Sequence, residues 1–265
     1  MREQRARREK RYRPLPLFTL LVLISCGLIS CRSSAELVDE PDPVGFSPWY
    51  TIDASLERSL EPDPAIEELL NSWREEFNRV MMEPLTTAEG SFTYSSGRPE
   101  SSLGNLVTDI VRYRASLEMH TDVDIALLDA DHLRADLPEG AVKAGDLYEL
   151  MPFDHRLVVL EIDGRSVQRF ADDIASRGGV PVSGLRMNIS GGSASGLLVD
   201  SERPDPDGIY YLATSSAVAD GYGTYDLTVT ERHEFPIEIR SLLMTYLKNR
   251  DQFTPVEDLR IRQLD

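Results

Sequence analysis

The chain has 265 residues, 41% of them hydrophobic, which is enough to bury a sizeable core in one or two domains. Its formal charge is −17, and because the first 31 residues hold seven basic side chains against two acidic ones, the remainder stands at about −22. A field of that sign repels nucleic acid and anionic membrane surfaces, so no nucleic-acid partner is expected.

The N-terminus opens on Arg2, Arg5, Arg7, Arg8, Lys10, Arg11 and Arg13, followed by an apolar run from Leu15 to Leu23. That pattern reads as a secretory signal, since a membrane span needs about 20 apolar residues. Two Leu-Ile-Ser-Cys tetrads follow, ending at Cys26 and Cys31, and each has the shape of a bacterial lipobox. Cys31 is the expected lipidation site because Arg32-Ser33-Ser34 turns polar at once, whereas Gly27-Leu28-Ile29 prolongs the apolar run; Cys26 is the alternative. The expectation is a lipoprotein anchored in the bacterial cell envelope, extracytoplasmic, facing the periplasm or the outer surface. With both cysteines in this segment, thiol catalysis and a cysteine zinc site are excluded for the folded region.

Residues 32–63 are rich in Asp, Glu, Pro and Ser and read as an acidic flexible tether. From Pro64, apolar residues at Ile66, Leu69, Leu70, Trp73, Phe77, Val80 and Met81 recur at helical spacing, which predicts an amphipathic linker helix within residues 64–84. A second helix is predicted from Ser102 to Met119, capped by Ser101 or Ser102. Val123 to Leu128 and Leu157 to Ile162 are apolar runs of strand length, and Asp163-Gly164 turns the latter into a helix from Arg165 to Ser176 that ends at Gly178-Gly179. Further strands are expected at Leu185 to Ile189, Leu197 to Val199 and Ile209 to Ala213, then a helix from Ile237 to Asn249 and a closing strand at Leu259 to Leu264. Helices among strands without a regular βαβ rhythm predict an α+β fold with a mixed β-sheet over residues 85–265.

The usual catalytic constellations are missing. A two-metal phosphoesterase needs converging Asp, His and Asn ligands, yet His120, His132, His155 and His233 are dispersed and no His-x-His or Asp-x-His pair occurs. Gly192 to Gly196 carries Ala194 where a serine-hydrolase elbow needs serine, and it reads as a hairpin loop. No Gly-x-Gly-x-x-Gly or phosphate-loop motif is present. The expectation is therefore no metal set, no cofactor and no catalytic residue in this chain.

Five blocks in order carry a family resemblance. Arg98-Pro99-Glu100-Ser101-Ser102-Leu103-Gly104-Asn105-Leu106-Val107-Thr108-Asp109 is similar to the opening signature of the 5'-nucleotidase C-terminal domain. Asp124 to Leu128 then leads into Asp129-Ala130-Asp131-His132-Leu133-Arg134, where that family has Asn-x-Gly-Gly-Ile-Arg. Gly145-Asp146 through Pro152-Phe153, the turn Val182-Ser183-Gly184, and Tyr211-Leu212-Ala213-Thr214 before a degenerate Gly-Gly-Asp-Gly-Tyr loop complete the series. The resemblance implies a domain that supplies the nucleoside pocket while a preceding domain, absent from this chain, supplies metals; the helix from Pro64 looks like the remnant of the joint.

By the same resemblance the substrate-binding residues are Phe153 as a stacking ring, Arg134 and Arg98 toward phosphate, Asp129 at the family's asparagine, and Tyr222 as a substitute second ring. The departures are specific. Asp129 replaces an amide with a carboxylate, Asp131 and His132 replace two glycines, Ala217 stands at the second aromatic position and Gly223 at the ribose-binding aspartate. Two functions follow as expectations: a nucleotide- or nucleoside-binding lipoprotein that assists hydrolysis by a separately encoded metallophosphoesterase, or a degenerate scaffold that has lost nucleotide recognition. An independent hydrolase using Asp129, Asp131 and His132 is the third.

Overall fold

The structure, a computed structural model, describes residues 63–94 and 98–264; the expected signal, Cys31 and the tether up to residue 62 lie outside the described residues. In chain order the first elements are α1 (Pro64–Met81), β1 (Pro84–Ala88), α2 (Ser102–Met119), β2 (Ile125–Leu127), a 3-10 turn (Ala130–His132), β3 (Gly140–Lys143), α3 (Ala144–Leu150) and β4 (Arg156–Asp163). There follow α4 (Gly164–Ser176), β5 (Val182–Ser183), β6 (Leu185–Ser190), β7 (Ser193–Val199), β8 (Ile209–Ser215), α5 (Ser216–Ala219), β9 (Val229–Glu238), α6 (Ile239–Lys248), β10 (Gln252–Phe253) and β11 (Ile261–Gln263). The predicted α+β class with mixed sheets packed by helices is what is found.

The main sheet runs β5-β2-β8-β4-β9, with β2 and β8 parallel and the other neighbours antiparallel. Its central strands are apolar on both faces because both faces are covered. Ala126, Leu128, Leu157, Val159 and Ala213 point into one core with α2, α3 and α6. Ile125, Leu127, Val158, Leu160, Ile162 and Leu212 point into a second core with α4 and the β11-β6-β7 sheet. That two-sided burial is the reason Val123 to Leu128 and Leu157 to Ile162 read as apolar runs broken only by Asp124 and Glu161. α4 buries Val167, Phe170, Ala171, Ile174 and Ala175, one face at helical spacing, and Asp163 caps it by accepting the Ser166 amide at 2.6 Å.

Several expectations need correction. Ser193 to Gly196, read as loop, belongs to β7; the turn is Gly191-Gly192 alone, both with positive φ, so β6 and β7 pair from Ser190 and Ser193 onward. The strand β9 went unassigned and runs through Ile237, so the last helix starts at Ile239 rather than Ile237. β9 is an edge strand whose Glu231-Arg232-His233-Glu234 stretch faces water, so charge rather than apolar alternation dominates its sequence. The closing strand is shortened to Ile261–Gln263. Of the two candidate caps for α2, Ser101 is the one: its Oγ accepts the Gly104 amide at 3.1 Å, while Ser102 Oγ accepts the Thr93 amide.

The signature block from Glu100 to Asp109 ties the C-terminus to α2. The Glu100 carboxylate accepts Asn105 Nδ2 at 2.6 Å and the amides of Asp258 and Arg260 at 2.9 Å each. Asp109 receives both Arg260 Nη atoms, at 2.8 and 2.7 Å, and the Ser183 hydroxyl at 2.6 Å. Arg260 is buried and also donates to the Val182 carbonyl at 3.0 Å. Arg260→Ala is expected to strand these acceptors and cost about 3 kcal/mol, below the top of the range for buried pairs because Asp109 keeps half its side chain in water. In a domain of this size that is a fall in Tm of roughly 10 °C; a shift of 2 °C or less would show the tie to be unimportant.

Candidate ligand site

The site is built on the turn after β2, the segment after α3 and the loop after α5. The 3-10 turn is set by Asp129, whose carboxylate accepts the Asp131 amide at 3.1 Å while its carbonyl accepts the His132 amide at 3.1 Å. Arg134 is then fixed by donating its amide to the Leu150 carbonyl, at 2.9 Å, at the end of α3. That bond brings the turn against Phe153, which follows α3 by three residues, and the Arg134 guanidinium lies 5.5 Å from the centre of the Phe153 ring.

Four rings form a row. Phe153 lies 5.3 Å from His155, His155 4.6 Å from His132, and His132 stacks at 5.8 Å on Tyr222, whose hydroxyl donates to Asp131 at 2.9 Å. The ends are open, Phe153 at 40% exposure and Tyr222 at 46%, while His132 in the middle is only 3% exposed. Burial, then the neighbouring His155, press the His132 imidazole down to about 4 against the opposing pull of Asp129 and Asp131. Burial lowers His155 as well. The His132 Nδ1 is buried without a hydrogen-bond partner. A sequestered imidazole of this kind packs rings in its neutral form at neutral pH.

Of the five expected binding residues, Asp129, Arg134, Phe153 and Tyr222 are brought together. Arg98 is not joined to them; it lines a narrow cleft with Tyr94, Asn105 and Pro181 and pairs with Glu257 at 3.3 Å. Asp129 is buried, 3.6 Å from Arg177 Nη1 and accepting the Tyr225 hydroxyl at 3.4 Å. Burial, then Asp129, push the Tyr225 phenol up, and the hydrogen bond to Asp131 does the same for Tyr222.

Two departures from the family pattern meet in space. Gly223 has φ +83°, and a Cβ built there would lie 2.7 Å from Asp129 Oδ2. Asp129 thus brings a carboxylate from the facing loop into the space beside position 223, and a side chain at 223 would have to displace it. Arg177 clamps the arrangement by donating to the Gly223 and Thr224 carbonyls and lying 4.5 Å from the centre of the Tyr225 ring. Arg177 and the pairing of His132 with His155 escaped sequence reasoning. Residues 23 positions apart, or 46 and 48 as for Arg177 with Gly223 and Asp129, carry no common spacing signal, and histidines judged one at a time read as solitary. Among the described residues no three His, Cys, Asp or Glu side chains converge closely enough to hold a metal ion, so no hydrolytic step through a metal is derived for this chain.

Fold and site together define an α+β domain that gathers aromatic rings and an arginine on adjoining loops. The family model described as "5'-nucleotidase, C-terminal domain" matches residues 84–230, more than half of the chain, and the chain belongs to that family. It is 28% identical over 178 residues to Endonuclease YhcR of Bacillus subtilis (strain 168), an alignment covering 62% of this chain and 14% of that protein. Among solved structures, the 5'-nucleotidase precursor from Thermus thermophilus superposes with a TM-score of 0.65 at 23% identity, over 75% of this chain and 43% of that one. The NAD nucleotidase of Haemophilus influenzae gives 0.57 at 17%, over 80% and 45%. At such identities these structures share the fold, and the chain spans less than half the length of each relative.

Proposed function

We propose that the chain is a nucleotide-recognition module that assists hydrolysis by a separately encoded metallophosphoesterase, exported and held at the bacterial cell envelope by a lipid on Cys31. The observation that carries this reading is Arg134. In a chain with 45 acidic against 28 basic residues it has no ion-pair partner among the described residues, and it sits over an exposed phenyl ring. A free guanidinium beside exposed rings suits a phosphate joined to a base: the fork takes the phosphate oxygens, and Phe153 or Tyr222 takes the flat face.

The test is calorimetric titration of the purified chain with AMP, adenosine and inorganic phosphate, followed by addition of a candidate metallophosphoesterase and a phosphate-release assay. AMP is expected to bind without turnover, and mixing is expected to produce it. Phe153→Ala should weaken AMP roughly 10- to 100-fold, by loss of about 1–3 kcal/mol of stacking, and Arg134→Ala should weaken AMP while sparing adenosine. A second reading, a scaffold without nucleotide recognition, is favoured by Ala217 at the second ring position and by the chain's own His132 and His155 filling the row between Phe153 and Tyr222. Absence of heat with all three ligands selects it. Metal-dependent phosphate release by the pure chain, abolished by changes at Asp131 or His132, would overturn both.

A further inference from the structure

The helix α1 is 18 residues long, about 27 Å at 1.5 Å per residue, and none of its residues is buried. Only its C-terminal end is seated on the domain: Gly145 packs under the Met81 carbonyl, where a Cβ would meet the oxygen at 3.0 Å, and Glu83 just beyond the helix pairs with Lys248. Its apolar stripe stands open, with Ile66, Leu70, Trp73 and Phe77 between 48% and 68% exposed. A helix of this length gains most of its stability from an apolar face that is covered. The stripe therefore needs an occupant.

The spacing identifies what kind. Ile66, Leu70, Trp73, Phe77 and Val80 follow one another at intervals of four, three, four and three residues, the seam of a two-helix coiled coil. We infer that α1 docks antiparallel on α1 of a second copy of this chain, forming a two-fold symmetric dimer. In that alignment Ile66 faces Phe77 and Leu70 faces Trp73 of the second copy, so each layer combines one aromatic and one aliphatic side chain. A parallel alignment would stack Trp73 on Trp73 and Phe77 on Phe77.

The flanks agree with the antiparallel choice. Glu67 and Arg74 border the same side of the seam, and antiparallel packing sets Glu67 of each copy beside Arg74 of the other, twice by symmetry. Neither has an ion-pair partner within its own chain among the described residues, whereas the nearby Glu76 is held by Arg79 at 2.5 Å. Parallel packing would set Arg74 against Leu69 and Glu76 against Met81, with no charge pair formed. The helix also carries Glu68 and Glu75 on its outer face and Glu67 and Glu76 beside the seam, which disfavours an anionic lipid surface as the occupant. The dimer is independent of nucleotide binding and stands or falls without it.

Sedimentation velocity of the full-length chain in density-matched detergent, over a concentration series, reads the association directly. The wild type is expected to dimerise and Trp73→Glu to be monomeric, with the Tm of wild type diluted to monomer because the side chain is 68% exposed in the single chain. Glu67→Arg should weaken the dimer about tenfold, and Glu67→Arg combined with Arg74→Glu should restore it. Emission from Trp73, followed on a Trp49→Phe background, should shift to the blue with dimer formation. A monomer with blue emission at every concentration would place residues 1–62 of the same chain over the stripe. A monomer with red emission would leave the stripe to a different protein. Either result overturns the dimer, as does a dimer indifferent to Trp73→Glu.

Discussion

Gly184→Ala is expected to cost at least about 4 kcal/mol and to leave most of the chain unfolded at 37 °C, while Gly191→Ala costs about 1 kcal/mol. Both glycines have positive φ, +76° and +56°, so both variants bear the penalty of placing a Cβ in the left-handed region. They differ in what the new atom meets. At Gly191, in the hairpin turn between β6 and β7, nothing lies within 4 Å. At Gly184, between β5 and β6, it would overlap the carbonyl oxygen of Asp124 and press on the Arg112 guanidinium. The Asp124 oxygen belongs to the backbone just before β2 and is held there by the main sheet. Arg112 is held in turn by the Val123 carbonyl at 2.9 Å and Asp200 at 2.7 Å. Relief would require β2 and β5 to separate, and both strands line the second core. Urea unfolding of the two variants checks the contrast; equal losses would mean that φ alone, and not the close approach, governs position 184.

Acidification is expected to destabilise the wild-type chain more than His132→Phe, by about 3 kcal/mol between pH 6.5 and pH 4. The imidazole titrates near 6.5 when unfolded and at about 4 in the native site, where burial and His155 oppose its charge. Because the native value is the lower one, the unfolded chain binds the extra proton across that window. The contribution of His132 is therefore whole above pH 6.5, declines as pH falls, and is gone below about pH 4. Phenylalanine keeps a ring between His155 and Tyr222 and removes the titration, so the carboxylates common to both proteins cancel in the comparison. Parallel stability curves for the two proteins from pH 7.5 to 4 would sink the claim.

The legible and the hidden parts of the molecule divide along physical lines. Ser102–Met119 is found as a helix with the bounds expected, and Gly164–Ser176 differs by one residue at its start. Each has a capping side chain one residue before it and an apolar face at regular spacing, signals that act over a few residues. β9 was missed for the opposite reason: it is held by pairing with β4, far away in the sequence, and faces water along most of its length, so its own residues record little of the environment that makes it a strand. The stripe on α1 was equally plain in the sequence. That nothing in the described domain covers it was not, because periodicity fixes which side of a helix is apolar and says nothing of what lies against it.

The site shows the same division more sharply. Taken alone, the sequence determined the family, the order of its blocks, the arginine and ring at Arg134 and Phe153, and the departures at Asp129, Ala217 and Gly223. Only the tertiary structure decided that Asp129 occupies the space a side chain at Gly223 would need, that Arg98 is committed to Glu257, and that two histidines 23 residues apart share one packed row. Chain-local chemistry fixes which residue types are offered and where helices begin. Which of them meet, and what charge an imidazole keeps once its neighbours exclude water, depends on distances through space that no spacing along the chain encodes.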